Sequence, residues 1–148
     1  MMLATTRRPS TRRSAFTLLE VLVVVAILVI LAGVATVATN RYLEDAKKSR
    51  AQLGCRGIAQ AIEAYKTNPA NTMQEDPTDP SQLLQPPFGG TSFLKNGQED
   101  LMDPWGQPYS MRPYAQGDGS EIILVFTQSK NDGVSISQFG IGPASRVN

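Results

Sequence analysis

Hydrophobic and polar positions divide the chain unevenly. From Val21 to Thr39, nineteen consecutive residues carry no charge and almost no polarity. An α-helix needs about 20 apolar residues to cross the hydrocarbon core of a bilayer, so this run predicts a membrane-spanning helix. No proline interrupts the chain from there until Pro69, and the pattern changes from continuous to periodic. Ile58, Ile62 and Tyr65 recur at spacings of four and three, with Leu53 ahead of them on a nearby face. That is the period of an amphipathic helix. Glu44 with Lys47 and Lys48 adds charge pairs at i+3 and i+4, which support a helix. One helix from Phe16 to about Lys66 is therefore expected, roughly 75 Å long at 1.5 Å per residue. Gly54 and Gly57 fall inside it, each costing about 1 kcal/mol relative to alanine, and are expected to fray it locally.

Regular structure breaks down over residues 67–92, where Pro69, Pro77, Pro80, Pro86, Pro87 and the Gly89-Gly90 pair fall close together. Within this stretch, "DPSQLLQ" predicts one short helix capped by Asp79, with Pro80 at its first position. Further on, "YSMRPY", "EIILVFTQ" and "VSISQF" read as short strands, with "QGDGS" and "SKNDG" as the turns between them. The fold class expected is α+β: a long N-terminal helix, half membrane-spanning and half amphipathic, packed on a small C-terminal antiparallel sheet.

Charge orients this arrangement. The 148 residues have a net charge of only +1, but Arg7, Arg8, Arg12 and Arg13 all precede the apolar run with no acid among them. Such a cluster stays on the cytoplasmic side, placing the C-terminal part across the membrane. The remainder is mildly acidic, so nucleic acid is not an expected partner. There is no histidine and a single cysteine, Cys55, which excludes an intramolecular disulfide and disfavours a Cys/His metal site. No phosphate loop or nucleophile–base spacing is present, and no enzymatic activity is expected. Cys55 reads as an inert packing residue of the helix.

Glu20 is the residue that a plain anchor does not need. An acidic side chain at the bilayer centre costs about 2.5–3.5 kcal/mol, and less near the interface. Two explanations stand side by side. Glu20 either lies at the headgroups beside the positive end of the helix dipole, or is half of a charge pair. A cut between Ala15 and Phe16 would supply the other half, a new α-amino group on Phe16, one helical turn away. That amine could meet Glu20 in its own chain or in a neighbouring copy, setting the register of a polymer. A competing reading is an ordinary signal peptide cut after "GVA" at Ala35; Glu20 and the amphipathic continuation of the helix count against it.

"FTLLEVLVVVAILVILAG", preceded by basic residues and a small residue, resembles the N-terminus of type IV pilins and type II secretion pseudopilins. The resemblance implies that a prepilin peptidase cleaves Ala15–Phe16, that Phe16 is then N-methylated, and that Glu20 supports assembly. Two departures stand out. Ala15 occupies the place where the family usually has glycine, and Val37 the place where it often has proline.

A second string, "DPWGQPY", follows turn chemistry. Asp103, Pro104 and Gly106 are the residues that a type I turn prefers at its first, second and fourth positions. Trp105, the one tryptophan, is expected as a plug in the core. The string, placed between a Pro-rich loop and a small terminal sheet, is similar to the major pseudopilins of type II secretion. That resemblance implies calcium in a C-terminal loop followed by several acids. Here "SKNDG" has no acid after Asp132. Calcium takes six to eight oxygens, usually several from carboxylates, so the ligand candidates Ser129 and Asp132 make a poor site and no cofactor is expected.

The domains so read are a leader over 1–15, a transmembrane and polymerisation helix over 16–39, and a periplasmic domain over 40–148. The last comprises a helix over 40–66, a Pro-rich loop over 67–102, and the turn and sheet over 103–148. By resemblance the chain is an inner-membrane structural subunit. Its partners would be other copies of itself, minor pseudopilins, the inner-membrane secretion platform and the prepilin peptidase/methyltransferase. A type IV or competence pilin is the neighbouring alternative, and a membrane-anchored exported binding module that never polymerises is the distant one.

Overall fold

The computed structural model describes residues 16–147, apart from the side chains of residues 37 and 38. Helix α1 spans Leu18–Lys66. It begins two residues later than the expected Phe16 and runs through Gly54 and Gly57 without a break. Contacts divide the chain between Asn40 and Arg41. In the first part, α1 exposes every described side chain. It is long and apolar enough to cross a membrane.

In the second part, α1 has one face to bury. Ala51, Cys55, Ile58, Ala61, Ile62 and Tyr65 are all buried, and Glu44 and Lys48 continue the same alternation of four- and three-residue steps toward the N-terminus. Leu53 does not belong to this face. It is 65% exposed, because two helical residues away from Cys55 means roughly 200° around the axis.

Three antiparallel strands pack on this face: β1 (Ser110–Ala115), β2 (Glu121–Gln128) and β3 (Ser135–Ser137), in the order β1-β2-β3. Arg112 pairs with Leu124, and Thr127 with Ile136. Central β2 places Leu124, Val125 and Thr127 inside. Pro113 lies in β1, an edge strand, where a missing N–H is tolerated. Glycines with positive φ close both turns, Gly119 at 84° and Gly133 at 68°.

The Pro-rich segment covers the far end of the α1 face. Asp79 caps a short 3-10 helix at Pro80–Leu83 by accepting from Ser81 N at 2.7 Å. Phe88 and Phe93 pack against Tyr65 with ring centroids 4.9 and 5.7 Å away. Two further 3-10 helices, Gly97–Leu101 and Gly142–Ser145, have no counterpart in the sequence reading. Single turns are too short to show a period.

Gly54 is there because of a neighbour. A Cβ at Gly54 would stand 2.1 Å from Tyr109 Oη, whereas one at Gly57 would meet nothing within 4 Å. Tyr109 is buried, and its hydroxyl donates to the Ala51 carbonyl at 3.3 Å. Gly54→Ala is therefore expected to destabilise by about 1–3 kcal/mol through overpacking. Gly57→Ala should stabilise by up to about 1 kcal/mol through helix propensity. Thermal unfolding of the full chain in detergent checks the contrast, and equal melting temperatures would contradict it.

Candidate functional site

The residues singled out in the sequence fall into two groups, one at the start of α1 and one where loops meet the middle of the helix. Ala15 lies outside the described residues. Phe16 precedes the helix and is 87% exposed. Thr17 is the N-cap: its carbonyl accepts from Val21 N at 3.4 Å. Its hydroxyl accepts from Glu20 N at 3.2 Å and donates to Glu20 Oε2 at 3.0 Å, while Thr17 N donates to the same Oε2 at 2.8 Å. This is a reciprocal capping box, which satisfies N–H groups that a helix start otherwise leaves unpaired. The structure thus brings Glu20 to Thr17. The signal was in the sequence as Thr-Leu-Leu-Glu, the Thr-x-x-Glu pattern of a capping box.

The turn at Asp103, Pro104, Trp105 and Gly106 closes with Gly106 N donating to the Asp103 carbonyl at 3.0 Å, and Gly106 has φ 79°. Its centre is the aspartate. Asp103 is 5% exposed. Its Oδ1 accepts from Trp105 N at 2.9 Å and Gln107 N at 2.8 Å, and its Oδ2 accepts from the Thr127 hydroxyl at 2.6 Å. One carboxylate therefore shapes the turn and ties it to β2. Trp105 corrects the expectation of a core plug. It is half-buried, and its indole Nε1 donates to Glu44 Oε2 on α1 at 3.3 Å. The indole N–H needs a polar partner, and the nearest one lies at the polar end of the helix face.

Ser129 and Asp132 lie in the β2–β3 turn. Ser129 is buried, and its hydroxyl has no hydrogen-bond partner among the described residues. Asp132 is exposed and pairs with Lys48 of α1. The Lys48 ammonium holds the Asp132 carboxyl down at about 2 and is itself held above the ordinary lysine range. Neither the Glu44–Trp105 nor the Lys48–Asp132 contact has a sequence signal, since 61 and 84 residues separate the partners. Cys55 is fully buried, and burial pushes its thiol up to about 12, which leaves it protonated and unreactive. Among the described residues, no three His, Cys, Asp or Glu side chains are gathered as a metal site.

The family of the prokaryotic N-terminal methylation motif matches residues 10–36. No curated protein and no solved structure matches the chain. The motif marks the N-terminus as a type IV pilin-like prepilin signal, and the helix behind it is consistent with a single-pass anchor.

Asp103 gives a direct test of the turn. Hydrogen bonds to a charged group contribute about 1.5–3 kcal/mol each and are not additive, so Asp103→Ala is expected to cost roughly 3 kcal/mol. Asp103→Asn keeps a carbonyl oxygen for the two backbone donors and should cost about 1 kcal/mol. Unfolding of the full chain in detergent measures both; an alanine variant as stable as the asparagine variant would remove the clasp role.

Proposed function

We propose that the chain is a pseudopilin, a structural subunit of a type II secretion filament. In this reading it inserts as a single-pass precursor with its arginines in the cytoplasm. It loses residues 1–15 to a prepilin peptidase and is N-methylated on Phe16. It then polymerises through the apolar half of α1 with other copies and with minor pseudopilins. The filament grows on an inner-membrane platform and pushes proteins out of the periplasm. The observation that carries the reading is the methylation motif at residues 10–36 on a chain that also has the "DPWGQPY" turn. The first supports a prepilin in general. The second favours a pseudopilin over a type IV or competence pilin.

The start of α1 supports a role for Glu20 in assembly. Cleavage before Phe16 would leave the Thr17 amide and hydroxyl in place, so the capping box survives maturation. Both donated bonds fall on Oε2, and a carboxylate has about four acceptor sites. Capacity therefore remains for the Phe16 amine of an adjacent copy. Held by Thr17, the carboxylate would be presented in one orientation instead of sampling several.

Mass spectrometry of the mature N-terminus tests the processing. N-methyl-Phe16 is the expected species; a chain beginning at Thr36 would return the signal-peptide reading. Glu20→Ala is expected to be processed and to stay in the membrane but to form no filaments. Filaments of ordinary yield from that variant would remove Glu20 from assembly. Co-purification with a secretion platform, as against an external pilus on the cell surface, separates pseudopilin from pilin.

A further inference from the structure

The turn between β2 and β3 is where the resemblance implies a bound divalent cation, and the donors present do not fit one. Calcium requires six to eight oxygens at about 2.3–2.6 Å. Several oxygens of this turn, both of its carboxylate oxygens included, are engaged by the protein. The Ser129 carbonyl accepts from Gly133 N at 2.9 Å, the Gly133 carbonyl from Gln128 Nε2 at 2.8 Å, and the Val134 carbonyl from Ser129 N at 2.9 Å. Asp132 Oδ1 accepts from Val134 N at 3.3 Å, and Oδ2 accepts from the Lys48 ammonium. The oxygens left in the turn are neutral, the buried Ser129 hydroxyl among them, and the turn itself offers no carboxylate besides Asp132.

We propose that the Lys48 side chain serves as the resident cation of this turn, fastening it to α1 with no need of a metal ion. A lysine ammonium is a compact point charge with three donors and no coordination sphere to fill. One carboxylate is enough for it, which accounts for a turn that carries Asp132 and no acid after it. Lys48 is also well placed to hold a fixed position. It lies on the docking face of α1, one helical turn before buried Ala51. Its side chain is only 17% exposed, against 43% for Asp132, so the aliphatic stem is covered and the charged end meets the turn. A divalent cation is lost when its concentration falls; an ammonium bonded to the helix is always present. Order in the turn, and in the β2–β3 pairing that it closes, then follows folding of α1 and not the ion content of the compartment. This proposal rests on bonds within Arg41–Asn148 and stands apart from the filament reading, which the processing experiment decides separately.

The test uses the full chain in detergent, with calcium chloride and the chelator EGTA as probes. The melting temperature of the parent protein should be the same with millimolar calcium and with EGTA. A rise with calcium and a fall with chelator would overturn the proposal. A double-mutant cycle then addresses the pair itself. Lys48→Met and Asp132→Asn should each lower the melting temperature by roughly 2–5 °C. The double variant should lose no more than either single one, and Lys48→Arg should retain most of the parent value. Additive losses, or a Lys48→Met protein as stable as the parent, would overturn it. Hydrogen exchange gives a local readout: amides of residues 129–134 should exchange faster in Lys48→Met with calcium present, and protection restored by calcium would count against the lysine.

Discussion

One row of side chains on α1 supports the whole of Arg41–Asn148: Glu44, Lys48, Ala51, Cys55, Ile58, Ile62 and Tyr65, in alternating steps of four and three. Strands of six, eight and three residues cannot bury a core between themselves, and so small a sheet needs a helix to pack on. Several later segments reach the row, each at its own level. Trp105 bonds Glu44, Asp132 bonds Lys48, Tyr109 bonds the Ala51 carbonyl, and Cys55 meets the Ile136 carbonyl at 3.8 Å. Phe88 and Phe93 close over Tyr65 at the other end. Sequence order is thus folded back on a single helical surface.

The row changes chemistry along its length, and the change has a consequence. From Ala51 to Tyr65 it is apolar, and burial there supplies the energy, about 1.5–3 kcal/mol for each fully buried large aliphatic side chain. Apolar contact has little direction, and a helix with a repeating 4-3 pattern can be displaced along its axis by a repeat with apolar residues still inward. Glu44 and Lys48 do not tolerate such a displacement. Moved by seven residues, the loops would face Ala51 and Cys55, leaving the Trp105 indole and the Asp132 carboxylate without partners. The polar end contributes little energy and fixes the register, while the apolar end does the reverse. Asp103 plays the same part within the sheet, where two backbone donors and a hydroxyl set the position of the turn against β2.

These roles explain what could be read from the sequence. Periodicity is a local property, and so α1, the bounds of β2 at Glu121–Gln128, and both hairpin turns were legible. Asp79 as a cap was legible for the same reason. The expectation for Trp105 fails because an indole N–H needs a polar partner, which residue type alone does not locate. The tryptophan went to the polar end of the row, and the buried place was taken by Asp103, a charged residue that its own turn satisfies. Leu53 misled in a similar way: it is apolar, but the row runs through Cys55 and Ala51, which are small and carry a weak hydrophobic signal. The contacts at Glu44 and Lys48 join residues far apart in sequence, and nothing local marks them.

Glu20 shows how a local motif can be hidden by a stronger pattern. Nineteen apolar residues after it direct attention to the membrane, and an acid at their edge then looks like an exception that needs an outside partner. The structure supplies an inside one, Thr17, three residues earlier. The two accounts of the glutamate, helix start and charge pair, are therefore not rivals. A capping box contributes about 0.5–2 kcal/mol to the helix start and keeps Glu20 in place before and after any cut, since Thr17 lies beyond the proposed scissile bond. What the cut would change is the other charge. A peptide nitrogen at Phe16 becomes an amine, and the carboxylate already held beside it in sequence gains a cation to attract. On the proposed reading, a cost of burying Glu20 that Thr17 partly meets in the precursor would be met further by that amine, in the same chain or in a neighbouring copy.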